Sequence, residues 1–461
     1  MSLYLPQPST WSTAEVITAP QLRADFAGTI QLLSHPPMFI GAQTLTSQVI
    51  TADTNTPVTL DTEVADSVSG HFLTTDSAQY FGQFPGWYLA EVTAPLNYTG
   101  GGGAFAVGVQ AQQNGTATTK FGMRMPNTSG SFSVASGARL CQIAVTGVVG
   151  GSGDFIAMSV NQTGTGAFSW PLLNGTSRFP RLACRWVCAL SGTAPLPVPS
   201  NDAFPPPSTT LTGTVAAGGT QMVPASLTGM TFYGGQGTTL GLDIGTPAAE
   251  NVVMTGPAAS GTVPITPAAH AHASGAAVSV PVDAPFFNKN VRDAAAFLLY
   301  PPVMQRQYLG GSPIPLGSST GLPAIGQPIQ LFSATMDNYS ASNSNGWIAP
   351  VSGLYYAHGC VAIASNATTT VAAAGLTITS ANYNSGTTFT LWGGGQSAVN
   401  SDPAASVEGL VTACTVTRYL RLNAGDAIAL AGFQHDTSGL GATLLGSGNY
   451  SCRLITIWEG A

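Results

Sequence analysis

Two segments of this chain share a pattern that chance does not readily produce. Thr18 to Pro37 reads TAPQLRADFAGTIQLLSHPP, and Asp283 to Pro302 reads DAPFFNKNVRDAAAFLLYPP. The Ala-Pro start, a hydrophobic residue at Leu22 and Phe287, the pairs Leu32-Leu33 and Phe297-Leu298, and the closing Pro-Pro align without a gap. An internal repeat of this length constrains the chain more than any motif, because the fold open to one half must also be open to the other. Further landmarks keep their order. Phe84-Pro85-Gly86-Trp87-Tyr88 matches Val351-Ser352-Gly353-Leu354-Tyr355, Gly153-Asp154-Phe155-Ile156 matches Gly425-Asp426-Ala427-Ile428, and Ala183-Cys184-Arg185-Trp186 matches Ser451-Cys452-Arg453-Leu454.

In each short segment Thr18 or Asp283 can cap a helix, with proline in the first turn, where its missing N–H costs nothing. Leu22, Phe26, Ile30 and Leu33 recur at helical spacing, as do Phe287, Val291, Ala294 and Leu298, giving one apolar stripe to pack on something. After each helix, short alternating runs of Val, Ile, Thr and aromatics are separated by Gly, Asn, Ser and Asp clusters, the pattern of antiparallel strands and turns. The expected fold is all-β: two antiparallel β-sandwich domains, each preceded by a short helix and joined by a Pro/Gly/Ala-rich linker. The expected boundaries are 1–44 for the first helical segment, 45–190 for the first sandwich, 191–280 for the linker, 281–310 for the second helical segment and 311–461 for the second sandwich. Within the linker only Asp202, Asp243 and Glu250 are charged, Thr220 to Asp243 has the pattern of a few strands, and order is expected to come mainly from other chains.

Only 7% of the 461 residues are charged, against roughly 25% in an ordinary soluble domain. So bare a surface suits a protein largely covered by neighbouring subunits. Two lysines, Lys120 and Lys289, stand beside eleven arginines with no basic cluster, and the net charge is −7, which argues against nucleic-acid binding. No run approaches the roughly 18–20 apolar residues of a membrane helix. Met1 to Trp11 has no basic stretch followed by an apolar one, so no secretory signal peptide is expected and assembly is expected in the cytoplasm. There Cys141, Cys184, Cys188, Cys360, Cys414 and Cys452 would stay as buried thiols.

Catalytic constellations do not emerge. There is no Walker sequence or His-Glu-x-x-His, and the glycine run Gly100 to Gly103 lacks a following Lys-Ser/Thr. His270 and His272 lie in the Ala/Gly/Pro-rich stretch without a neighbouring carboxylate in sequence, and are expected in an exposed loop rather than at a metal. No catalytic, cofactor-binding or metal residue is assigned, no cofactor is expected, and the expectation is a non-enzyme. Aromatic and Asn-rich loops such as Asn161 to Trp170 and Tyr383 to Trp392 could stack on sugars, but core filling is the more common role of any one such residue.

Trp347 to Tyr356, the turn Asn423-Ala424-Gly425-Asp426-Ala427-Ile428 and the closing strand Cys452 to Trp458 resemble the jelly-roll domains of the C1q and tumour necrosis factor superfamily. That resemblance, over about 130 residues, places Tyr355 inside the sandwich and Asp426 on backbone N–H groups of its turn. Because members of that family are usually trimers, it implies a homotrimer, with six sandwiches in two tiers. The first copy departs from the pattern at Phe84-Pro85-Gly86-Trp87-Tyr88 and leans on the duplication. Independently, Asn288-Lys289-Asn290-Val291-Arg292-Asp293 with Pro301-Pro302 resembles a motif near the start of minor tail proteins of phages that infect actinobacteria, and the first copy keeps only Trp11 and Pro36-Pro37 of it. Together these resemblances imply a virion protein of the tail tip or spike that touches other tail proteins and the bacterial surface, its receptor-binding residues unassigned. A capsid decoration or head fibre protein, or a secreted C1q-like carbohydrate-binding protein, are the competing expectations.

Overall fold

The computed structural model describes residues 32–33, 35–44, 48–51, 54–67, 69–70, 77–97, 104–126, 132–146, 153–163, 168–169, 179–190, 208–233, 235–280, 286, 288–308, 315–316, 327–331, 333–343, 346–364, 369–380, 388–393, 397–398, 411–436, 442–445 and 450–460. They fall into two compact units, one holding Ser34–Thr193 with Tyr300–Ala461 and the other Ala194–Leu299.

The first sandwich uses β1 (Met38–Ala42), β2 (Thr62–Asp66), β3 (Gly86–Asn97), β4 (Ala104–Gln113), β5 (Thr116–Pro126), β6 (Phe132–Ile143), β7 (Phe155–Thr163) and β8 (Arg181–Cys188). One sheet runs β2-β1-β8-β3-β6, while β7-β4-β5 form the opposing layer. The second sandwich repeats this with β9 (Val303–Gln307), β10 (Ser333–Asp337), β11 (Gly346–Ile348), β12 (Gly353–Ala364), β13 (Thr369–Thr379), β14 (Thr388–Trp392), β15 (Val411–Leu422), β16 (Ala427–Asp436) and β17 (Arg453–Gly460). Its layers run β10-β9-β17-β12-β15 and β11-β16-β13-β14. Both are jelly rolls, with every pairing within them antiparallel.

The duplication extends to details. Each copy has its register irregularity at the same place, between Ile40 and Gly41 against β2 and between Gln305 and Arg306 against β10. The Tyr88 hydroxyl donates to the Phe84 carbonyl at 2.9 Å, and the Tyr355 hydroxyl to the Val351 carbonyl at 2.7 Å. Trp186 and Trp458 each donate an indole N–H at 3.4 Å, to the Pro85 and Ser352 carbonyls. A Cβ on Gly86 or Gly353 would collide with that indole, which is why the turn into β3 and β12 needs glycine. Asp426 accepts from the Asn423 N–H at 2.8 Å, and Asp154 accepts from the N–H groups of Ala144 and Asn114 at 2.7 and 2.8 Å. Tyr355 and Asp426 thus take the places expected of them.

Register corrects one alignment made from sequence. Leu89 pairs with Arg185 on β8, and its counterpart Tyr356 pairs with Ile457 on β17. Arg185 therefore corresponds to Ile457 and Arg181 to Arg453, so matching Cys184-Arg185 to Cys452-Arg453 is four residues out. A strand's period of two tolerates any even slip, and the shared Cys-Arg pair drew the alignment to the wrong one.

The other unit contains its own small β domain. Thr239–Leu242 pairs with Glu250–Val253 and with Ala277–Ser279, and Gln221–Met222 pairs with Val263–Pro264. Leu211, Val215, Met222, Leu240, Leu242, Val252, Met254, Val263, Ile265 and Val278 form a buried core. The segment read as a linker ordered by other chains thus packs upon itself; most of its strands are two to four residues long, too short to show a period. In the same unit Asn288–Arg292 forms a π-helical turn leading into the helix Asp293–Leu299, with Asn288, Phe297 and Leu299 buried. Of the first helical copy only Leu32, Leu33 and His35 to Pro37 are described, and Leu32 and Leu33 are helical. The remainder of that copy and Gly100 to Gly103 lie outside the described residues, as do 164–167 and 170 of one aromatic loop and 383–387 of the other, whose Thr388–Trp392 forms β14.

Candidate functional site: the face shared by the two jelly rolls

The candidate surface is the one where the two jelly rolls meet. In β8 burial alternates: Leu182, Cys184 and Trp186 point into the sandwich while Arg181 lies exposed and Ala183 and Arg185 partly so. In β17 Arg453, Leu454, Ile455, Thr456 and Ile457 are all buried, so both faces are covered. What covers the outer face is the first jelly roll. Trp87, Leu89, Ala138, Leu140, Val187 and Cys188 form one apolar cluster with Val303, Tyr356, Ile455 and Ile457. At roughly 1.5–3 kcal/mol per fully buried large apolar side chain, this cluster is of the size that holds a domain pair together.

Polar groups fix its register. The Leu140 N–H, on edge strand β6, donates to Gln305 Oε1 at 2.9 Å. The Tyr356 hydroxyl donates to Glu91 Oε1 at 2.8 Å. Arg185 forms a two-point ion pair with Glu459, its Nη1 at 3.2 Å from Oε2, and its guanidinium lies over the Tyr356 ring. Farther out, Phe121 on β5 stacks on Tyr450 with ring centroids 5.1 Å apart, and its carbonyl accepts from Arg453 Nη2 at 2.8 Å. Cys360 Sγ lies 3.7 Å from the Gly122 carbonyl, and a ladder contact between Ala413 and Arg124 joins β15 to β5. The two jelly rolls lie against each other within one chain.

The ionisable side chains here are mostly basic. His358 is held between strands with Nδ1 2.8 Å from Thr417 Oγ1, and burial, aided by Arg453, pushes its pKa down to about 3. Burial, then Arg453 and Arg139, brings Lys120 down to about 8. Burial and the adjacent Glu91 carboxylate raise the Tyr356 phenol, keeping it a neutral donor to that carboxylate. All six cysteines are buried and free, and burial is the leading cause raising the Cys141 thiol to about 11. That suits packing rather than nucleophilic roles.

The small β domain holds a second polar cluster, which corrects the expectation for His270 and His272. His270 is exposed, but His272 is buried, its Nδ1 2.7 Å from Asp243 Oδ2 and its Nε2 2.7 Å from Glu250 Oε1. The carboxylates stand 29 and 22 residues before the histidine and reach it only through the turn after Leu242 and the pairing of Glu250–Val253 with Thr239–Leu242, so no local spacing announces them. Among the described residues no group of three or more His, Cys, Asp and Glu side chains could hold a metal ion. Burial opposes a charged His272, but its hydrogen bonds to Asp243 and Glu250 outweigh that and raise its pKa above 6.5. Burial likewise opposes ionised Glu250, and the bonds from His272 and from the His270 and Ala269 N–H groups overcome it and hold the carboxyl below 4.5. The histidine's contribution is complete below pH 6.5 and is lost as pH rises through its raised pKa; the carboxylate's is complete above pH 4.5 and is lost as pH falls through its lowered one. This domain should therefore be most stable between pH 4.5 and 6.5. Amide exchange at Val215 and His272, whose N–H and carbonyl groups pair reciprocally, should slow as pH falls from 8 toward 6.5 after correction for intrinsic rates, and the trend should vanish in His272→Gln.

No protein-family model and no curated protein matches this sequence. Among solved structures the chain is similar to the globular domain of zebrafish complement 1qA, at 14% identity and TM-score 0.22, covering 35% of this chain and 99% of that one. It is also similar to Eiger TNF from S. frugiperda, at 12% identity and TM-score 0.25, covering 35% and 94%. Murine APRIL at pH 8.0 follows, at 12% identity and TM-score 0.24, covering 33% and 98%.

Proposed function

We propose that this protein is a structural component of a virus particle, a minor tail protein of a bacteriophage placed at the tail tip or spike, where it contributes to attachment to the host surface. The observation that carries this reading is the Asn288–Asp293 motif, which resembles that of actinobacteriophage tail proteins and folds into a packed helical turn instead of hanging as a loose tail. Two further features support it. A chain with only 7% charged residues suits burial against neighbouring subunits, and one whose two jelly rolls already pack on each other is built as a scaffold. The reading includes assembly in the host cytoplasm, self-association as a homotrimer, contact with other tail proteins, a bacterial surface glycan as the target of the exposed loops, and no enzymatic activity.

Electron microscopy of particles labelled on the C-terminal jelly roll tests this. Label at the tail tip is the expected result. Label over the head would replace the reading with a decoration or head fibre protein, and protein found only free in the medium would replace it with a secreted C1q-like binder. Reducing ends released from host cell wall or capsule by the purified protein would overturn the non-enzymatic part.

A further inference from the structure

Arg453 is 1% exposed, and its place in the fold leaves most of its guanidinium unspent. Nη2 donates to the Phe121 carbonyl of the first jelly roll at 2.8 Å, while Nε and Nη1 are closed to solvent and have no hydrogen-bond partner. One N–H on Nε and two on Nη1 are therefore unmatched. The register gives this group a neighbour in a similar condition. Arg453 pairs with Cys360 and Ile455 with His358, so Arg453 and His358 are diagonal neighbours on the face of β17 and β12 that meets the first jelly roll. His358 is 2% exposed, its Nδ1 is taken by Thr417, and its Nε2 is buried with no partner. Arg181, the counterpart of Arg453 in the first jelly roll, lies exposed, so burial of this charge is particular to the second copy.

Among the described residues no carboxylate is hydrogen-bonded to Arg453, His358 or Arg139. Burial and then Arg453 disfavour the charged forms of His358 and Lys120, and Arg139, which burial lowers most, feels Arg453 as well. Arg139 spends Nη1 and Nη2 on the Thr118 carbonyl and hydroxyl, at 2.7 and 2.8 Å, both of them neutral. Burial keeps Cys141 and Cys360, which also feel Arg453, as neutral thiols, so they supply no counter-charge. A buried guanidinium left in this state is costly, and unmatched buried donors in a native fold mark an ordered water or an ion. Water would satisfy the N–H groups and leave the charge uncompensated. We propose that the contact between the two jelly rolls holds a small monovalent anion of the halide class, bound by the unspent N–H groups of Arg453 with His358 Nε2 as a further donor, in the field of Lys120 and Arg139. With the Thr417 hydroxyl donating to Nδ1, the neutral imidazole carries its proton on Nε2 and can give it to the ion. The ion offsets the charge of Arg453 but not the burial that is the larger cause of the low His358 pKa, so the ring stays neutral. Because both Arg453 nitrogens are sealed from solvent, the ion is enclosed as the jelly rolls close on each other, and it stabilises their contact by mass action. This site goes beyond the proposed place in a virus particle and does not depend on it.

Thermal unfolding of the full chain, with chloride exchanged for gluconate at constant ionic strength, tests this. Chloride should raise the unfolding temperature of the jelly-roll unit saturably, by about 3–6 °C at tenfold above its Kd, and gluconate, too bulky for an enclosed site, should not. Arg453→Met should abolish the dependence. Because a buried substitution endangers the fold, Lys120→Met, at a half-buried site, gives a second arm, in which the chloride midpoint should move up roughly fivefold. Crystals grown in bromide should show an anomalous scattering peak against the Arg453 guanidinium. An unfolding temperature indifferent to chloride, a folded Arg453→Met that keeps the response, or bromide-grown crystals without the peak would each overturn the proposal. A peak without chloride-dependent stability would mean an adventitious ion only and would overturn it as well.

Discussion

Leu140→Asp should pull the two jelly rolls apart, whereas Tyr419→Asp, the same change at the equivalent position of the other copy, should leave the fold untouched. Leu140 is buried in the apolar cluster, and its N–H is spent on Gln305. Removing the side chain forfeits about 2–3 kcal/mol of burial. The carboxylate adds several more unless the contact opens to hydrate it. A loss of roughly 4 kcal/mol or more is expected, enough to turn a single urea transition into two, with the first reported by Trp87 fluorescence because that indole lies in the same cluster. For Tyr419→Asp, at an exposed site, the change should stay within about 0.5 kcal/mol. Equal effects at the two positions would mean that the jelly rolls do not pack as described.

That contrast was half legible in the sequence. The Tyr88 and Tyr355 turns, the Asp154 and Asp426 turns and the two-layer fold could be read because each depends on a few neighbouring residues. The interface could not be read in the same way, since a strand of period two looks alike whether its outer face meets water or another domain. One signal was present: Leu454-Ile455-Thr456-Ile457 has no polar interruption on its outer face, whereas Leu182-Ala183-Cys184-Arg185 alternates, which marks β17 as covered on both sides and β8 as not. Reading that signal requires the correct strand register, and the Cys-Arg match placed it four residues off. The Asp243–His272–Glu250 cluster was hidden for another reason. Its members come from separate short strands and turns, and the high glycine and proline content of that stretch resembles a linker while serving the turns of a packed domain.

Acid should loosen the jelly-roll unit through His358 and not through its carboxylates alone. Above pH 6.5 the imidazole is neutral in folded and unfolded chains and has no effect on stability. As pH falls, the unfolded chain takes up the proton first, since the folded value lies near 3, so stability drops across that window by about 1.4 kcal/mol per unit and levels off below it. The cause is geometric: the ring is buried beside Arg453, with Thr417 as its partner and no carboxylate among its hydrogen-bond partners. The small β domain responds in the opposite sense, because His272 lies between two carboxylates and welcomes the charge that His358 refuses. Lowering the pH from 8 to 5 should therefore slow amide exchange in Val215 and His272 while speeding it along β12 and β15, once intrinsic rates are divided out. Replacing His358 by Gln should remove most of the second effect and none of the first; exchange that moves the same way in both units, or a β12 response unchanged in that variant, would place the acid sensitivity elsewhere.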